Sequence, residues 1–199
     1  MSITAKDCEK LAKKKLSPKR FYHTLCVRQM AVRLARLYGA DESRAEVAAL
    51  LHDIVKEESE DACLQLLLEG GIIQTISDPV PRPVQHAPAG AVYAERVIGI
   101  TDPQILSAIA CHTTGKADMS LLDKILFIAD ATSAERDYPG VEELRRLALS
   151  GELDRSVAKC LADTIAHVEK KGGEVDGASR LALASLMDQL QEDQTIVTE

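Results

Sequence analysis

Ala48-Ala49-Leu50-Leu51-His52-Asp53-Ile54-Val55-Lys56 carries six aliphatic residues with an imidazole and a carboxylate set side by side among them. On an apolar helix such a pair brings two polar groups that packing alone does not want, because each must find a partner or bear the cost of leaving water. Taken alone, His52-Asp53 reads most simply as a hydrogen-bonded pair at a helix end. What the pair means depends on what the rest of the chain sets beside it.

Just upstream, Ser43-Arg44-Ala45-Glu46 has capping-box spacing and predicts a helix that opens there and ends around His52-Asp53. Before it, Ser17-Pro18 and Gly39 mark the start and stop of a long helix with His23 in its first two turns. Residues 2–15 predict a short helix ending in Lys13-Lys14-Lys15, a run that reads as a solvated face. Downstream, residues 58–69 have helical period and close at Gly70-Gly71. A loop through Pro79, Pro81, Pro83 and Pro88 then carries His86 toward a helix at about Ala89–Ile98. Asp102-Pro103 starts a helix that reaches His112, and Gly115 breaks the chain soon after it. Ser120-Leu121-Leu122-Asp123 opens an apolar helix, Leu121–Ala131, on which Asp130 shares a face with Leu122, Leu126 and Ala129. Helices at about 141–149, 153–170 and 179–191 complete the chain, punctuated by Gly140, Gly151 and Gly172-Gly173. No strand pattern, repeat or linker interrupts this series, so the expected fold is an all-α, single-domain helical bundle.

Composition bounds the function. A chain of 199 residues buries roughly 70% of its unfolded surface, so a metal or disulfide is not needed simply to hold it folded. Only 3% aromatic residues, no Trp and a net charge of −7 argue against nucleic acid as a partner. A small anionic substrate fits better. Cys8, Cys26, Cys63, Cys111 and Cys160 are odd in number and widely spaced, which predicts buried thiols in a reducing compartment. With no signal-peptide core and no apolar run of spanning length, the expectation is a cytoplasmic protein without a membrane partner.

Within that frame His23, His52, Asp53 and Asp130 recur in order, each at a helix end or on an apolar helical face. Two neutral imidazoles and two carboxylates suit iron, manganese, zinc or nickel better than magnesium. His86 and His112 lie between the dipeptide and Asp130. A single dication held by two carboxylates sums to zero and draws polyphosphate weakly. If Asp53 bridges to a second dication on His86 and His112, the cluster gains about two positive charges; otherwise those histidines face phosphates as donors. His167, among Lys170 and Lys171, reads as a surface histidine.

The order His, His-Asp and distant Asp matches the HD superfamily of metal-dependent phosphohydrolases. More specifically, Lys19-Arg20-Phe21-Tyr22-His23-Thr24-Leu25, the stretch from Ala48 to Lys56, His86 with Gly90-Ala91, Ala108 to Gly115 with its His-Thr-Thr-Gly, and Leu122 to Asp130 with Glu135-Arg136 resemble the YqeK-type HD proteins. The resemblance implies an N-terminal helix (1–16) packed on an HD domain (17–170), with 171–199 as a helical extension of the same domain. It implies symmetrical cleavage of diadenosine tetraphosphate to two ADP by a metal-activated water, with iron at His23, His52, Asp53 and Asp130. Asp53, Lys56, His86 and His112 would serve catalysis. His23, Asp53, Ile54, Val55, Lys56, His86, His112, Thr113 and Arg136 would line the substrate, a dinucleoside polyphosphate or ADP. Rival readings are a less selective HD nucleotidase or pyrophosphatase and a nucleotide-binding module with little turnover; a homodimer stays open. The family pattern departs at Gly173-Glu174-Val175-Asp176-Gly177-Ala178-Ser179-Arg180, where a His-Pro and an Arg-Asn pair are usual.

Overall fold

Ten α-helices and no strand make up the described residues, which are 3–76 and 80–196 of a computed structural model. They are α1 (Ala5–Lys15), α2 (Pro18–Tyr38), α3 (Glu42–Leu51), α4 (Glu60–Glu69), α5 (His86–Tyr93), α6 (Pro103–Cys111), α7 (Leu121–Thr132), α8 (Val141–Leu149), α9 (Leu153–Lys170) and α10 (Gly177–Ile196). A wide π turn, Ala94–Ile98, extends α5. None of these helices is long and apolar enough to cross a membrane.

Local chemistry sets the helix starts. Ser17 caps α2 by accepting from the Arg20 amide, Pro18 fills the first turn, and Gly39 ends the helix at φ 72°. Ser120 and Asp123 form the expected reciprocal capping box of α7, and Thr4 and Asp7 do the same for α1. Several bounds differ from expectation: α1 starts at Ala5 and not at residue 2, α4 at Glu60 and not at 58, and α10 spans Gly177–Ile196 where 179–191 is expected; two further differences have a clear local cause. Asp41, not Ser43, caps α3, its carboxylate accepting from Arg44 N at 3.0 Å; the charge also suits the positive end of the helix. His86 and Pro88 belong to helix, not loop, because Pro88 falls in the first turn of α5, where no intrahelical N–H is needed. Of the expected loop, Pro79 lies outside the described residues, as do the ends of the chain at 1–2 and 197–199.

Four helices form a closed ring: α2 packs on α3 and α7, α3 packs on α6, and α6 packs on α7. Inside it Leu34, Leu50, Leu51, Ile54, Ile109, Ile125, Leu126 and Ile128 are fully buried. The core is aliphatic, as the composition implies, and all five cysteines are buried free thiols. Around the ring, α1 leans on α3, α5 on α6, and α8 and α9 on α7, while α10 packs on α9.

Gly115, at φ 66°, is where the loop after His112 passes under α10: a Cβ built there would lie 2.9 Å from Ala182 Cβ and 3.3 Å from Met119 Sδ. Gly39 has a similar φ of 72° but open space around it. Gly39→Ala should therefore cost about 1–2 kcal/mol of strain. Gly115→Ala should cost about 2–4 kcal/mol, because steric overlap adds to that strain. Thermal unfolding of the two variants checks the order: Gly115→Ala must lower Tm by clearly more than Gly39→Ala does.

Candidate metal centre

The ring of helices delivers one polar side chain after another to the same end of the bundle. His23 comes from the second turn of α2, His52 caps the carboxyl end of α3 with Asp53 next, His112 caps α6, Asp130 sits in the last turn of α7, and His86 opens α5. Three helices, α3, α6 and α7, thus end at one place. Their carboxyl ends carry partial negative charge, and together with Asp53 and Asp130 they make a setting that favours a cation.

The donor atoms converge. His23 Nε2 lies 3.1 Å from Asp130 Oδ1 and 3.4 Å from His52 Nε2, and His52 Nε2 lies 3.4 Å from Asp53 Oδ2. Ligand atoms of His23, His52 and Asp130 fall within 4.8 Å of one another, as do those of His52, Asp53 and His112. Asp53 divides its oxygens: Oδ2 faces His23 and His52, whereas Oδ1 lies 3.2 Å from His86 Nε2 and 3.7 Å from His112 Nε2.

What turns these rings inward is the bond each makes on its far side. His52 Nδ1 donates to Ala49 O at 2.7 Å, and His112 Nδ1 donates to Ile109 O at 2.8 Å, the same three-residue reach back into the helix that each one caps. His23 Nδ1 donates to the Glu135 carboxylate, which also accepts from Ser133 Oγ at 2.8 Å. With Nδ1–H so engaged, a neutral ring presents a bare Nε2 to the centre, the arrangement that orients histidine ligands of metals. His86 is different. Its ring faces the Lys56 ammonium, with Nζ at 3.1 and 3.2 Å from the two ring nitrogens, so nothing aims its Nε2 in the same way.

Charge supports the same conclusion. Burial works against the Asp53 carboxylate, yet the His52 charge and hydrogen bonds from His112, His52 and His86 hold it well below the usual carboxylate range. Asp130 is likewise held low against its burial by His23, His52 and Arg136. Burial opposes the His52 imidazolium, but Asp53 and Asp130 outweigh it and raise that histidine. Two buried carboxylates that stay ionised and pull positive charge toward themselves fit a divalent cation, and the mixed nitrogen and oxygen donors suit a transition metal.

Cationic side chains surround this cluster. Arg20 Nη1 reaches Asp53 Oδ2 at 2.9 Å, and Arg136 pairs with Asp130 through Nη2 and donates Nε to the Asp130 carbonyl at 2.9 Å. Arg145 holds the loop bearing Glu135 and Arg136, donating to the carbonyls of Thr132, Ser133 and Arg136 at 2.9, 2.7 and 2.6 Å. A cavity of about 780 Å³ opens from His23 past Arg20 and Arg136, and a smaller one of about 300 Å³ opens from His86 past Lys56.

Every side chain singled out from the sequence can now be placed. His23, His52, Asp53, His86, His112 and Asp130 share one cluster, and Lys56 and Arg136 touch it. Thr113 follows His112, and its Oγ1 is buried without a partner. Ile54 and Val55 are about 1% exposed and pack in the core, so only their backbone could face a ligand. His167 is exposed, as expected. Arg20 and Glu135 stand inside the quoted family blocks without a role assigned to them, and Arg145 carries no sequence signal; Arg20, one turn before His23, has a spacing that suggests its place.

Comparison with known proteins agrees with this geometry. The HD domain family model matches residues 20–135. A curated relative from Halalkalibacterium halodurans, named a symmetrical bis(5'-nucleosyl)-tetraphosphatase, is 40% identical over 164 residues, covering 81% of this chain and 85% of the relative. A Bacillus subtilis relative of the same name is 34% identical, covering 82% and 87%. A crystal structure from Clostridium acetobutylicum, described as a predicted HD superfamily hydrolase involved in NAD metabolism, superposes with a TM-score of 0.87 at 32% identity, covering 95% of this chain and 100% of that one. With the ordered His, His-Asp and Asp brought together in space, this chain belongs to the HD domain family and, within it, to the symmetrical bis(5'-nucleosyl)-tetraphosphatase group.

Proposed function

We propose that this protein hydrolyses diadenosine tetraphosphate symmetrically, releasing two ADP. The observation that carries the reading is that three cationic side chains, Arg20, Lys56 and Arg136, contact the members of a buried His and Asp cluster and leave a cavity open on either side of it. Relatives of this length and identity are named for that activity, which supports the choice of substrate. The metal belongs at His23, His52, Asp53 and Asp130, and by family resemblance it is iron. Bound there, the ion lowers the pKa of water and offsets phosphate charge.

The rest of the work falls to the chain. Arg20 and Arg136 present planar guanidinium groups that can grip phosphate oxygens in pairs, and Lys56 adds a point charge. Burial pushes the Lys56 ammonium down from its ordinary value, so an anion arriving beside it is strongly welcomed. Burial also pushes His86 down to about 4, which keeps the ring neutral and able to donate one N–H. These donors spread the charge that develops at phosphorus and on the departing ADP. They also remove the need for a second ion: a dication on His86 and His112 would sit against Lys56, whereas Arg20, Lys56 and Arg136 already supply the positive field a polyphosphate requires. A cytoplasmic setting accords with five free thiols.

Chromatography of the products decides the reaction: ADP alone is expected, and ATP with AMP contradicts the symmetrical reading. Asp53→Ala protein that keeps its helical circular dichroism should lose activity by more than about 100-fold; a rate near wild type would overturn the assignment. Glu135→Gln, which keeps the shape but removes the charge behind His23, should weaken metal affinity by about 10- to 100-fold in a chelator competition.

A further inference from the structure

The chain has four tyrosines and no tryptophan. Tyr38 spends its hydroxyl on Ala148 O at 2.7 Å, and Tyr93 lies under the Lys15 ammonium at 4.8 Å. The remaining two, Tyr22 at 60% and Tyr138 at 38% exposure, are the exposed aromatic rings among the described residues, and both line the 780 Å³ cavity beside His23. In so aromatic-poor a protein, two solvent-facing rings on one cavity wall call for an explanation beyond packing.

Arg20 and Arg136 line the same cavity, each tied to a metal-cluster carboxylate. Tyr22 follows Arg20 by two residues and Tyr138 follows Arg136 by two, and all four line the one cavity. Tyr138 is fixed in place by its hydroxyl, which donates to Ala131 O at 2.8 Å. Three carboxylates also line the cavity: Glu57 accepts from Ser17, Glu135 from His23 and Ser133, and Asp137 could accept from ribose hydroxyl groups. Guanidinium groups, a hydroxyl acceptor and flat rings on one cavity lining match the three parts of a nucleoside diphosphate, its phosphates, its ribose and its base. A volume of about 780 Å³ is ample for such a molecule.

We propose that Tyr22 and Tyr138 form the nucleobase subsite for one half of the substrate, stacking the base while Arg20 and Arg136 hold its phosphates. This rests on the phosphohydrolase reading of the neighbouring centre, and it assigns the two rings as specificity-determining residues. Stacking is tolerant of base identity, because every base has a π face. The subsite therefore accepts either purine.

The test measures binding of ADP and of inorganic tripolyphosphate to manganese-loaded protein by calorimetry, which needs no turnover. Tyr22→Ala and Tyr138→Ala should each weaken ADP binding by about 5- to 100-fold, while tripolyphosphate binds each variant as it binds wild type. Tyr22→Phe and Tyr138→Phe should restore most of the ADP affinity, and GDP should bind wild type within about 10-fold of ADP. Equal ADP affinity in the alanine variants overturns the subsite. So does a loss shared equally by tripolyphosphate, which would mean that the rings only brace the loop. Should wild-type protein bind ADP in this ring-dependent way yet fail to cleave diadenosine tetraphosphate, the proposed reaction falls and the subsite stands.

Discussion

Three helix carboxyl ends and two carboxylates meeting at one point constitute a concentration of negative charge that the fold cannot leave unanswered. Much of the surrounding structure can be understood as the answer. Arg20 and Arg136 each neutralise one carboxylate from the outside. His23, His52 and His112 turn their bare nitrogens inward because their other nitrogens are bonded to acceptors behind them. A divalent ion is the occupant that satisfies such a set most fully, since it meets carboxylate and imidazole lone pairs at once.

The aliphatic ring of α2, α3, α6 and α7 is what makes this possible. Its core side chains are mostly aliphatic, so the helices pack closely and their ends are held in fixed relation. Each helix then needs to contribute only one or two side chains at its end. The same rigidity explains why the loops beyond the ends are so well tied, Arg145 to three carbonyls and Gly115 against Ala182. Preorganisation of this kind keeps reacting groups in place without reorganisation at the moment of reaction.

Much of this was legible in the chain. Ser17-Pro18, Ser120 with Asp123, and the terminal glycines marked helix ends by mechanisms that act within a few residues, and those ends fell where expected. His23, His52-Asp53 and Asp130 stood out because polar groups on apolar helical faces need a reason. Where rival local signals competed, as between Asp41 and Ser43 or around Pro88, the reading slipped by a turn or less. Partners distant in sequence were out of reach: Arg20 meets Asp53 across 33 residues and Glu135 meets His23 across 112, and no local pattern announces either. From sequence, His86 and His112 stand either as ligands of a second ion or as donors to phosphate, and both lie in the cluster, beside Asp53.

The central claim is that one transition-metal ion is held by His23, His52, Asp53 and Asp130. Anomalous diffraction on crystals of the protein purified with its native metal, recorded on both sides of the iron absorption edge, tests it most directly. A single peak among those four side chains, with Glu135 behind His23 and no second peak between His86 and His112, is the predicted result. A peak coordinated by His86 and His112, or one that leaves out Asp130, would contradict it.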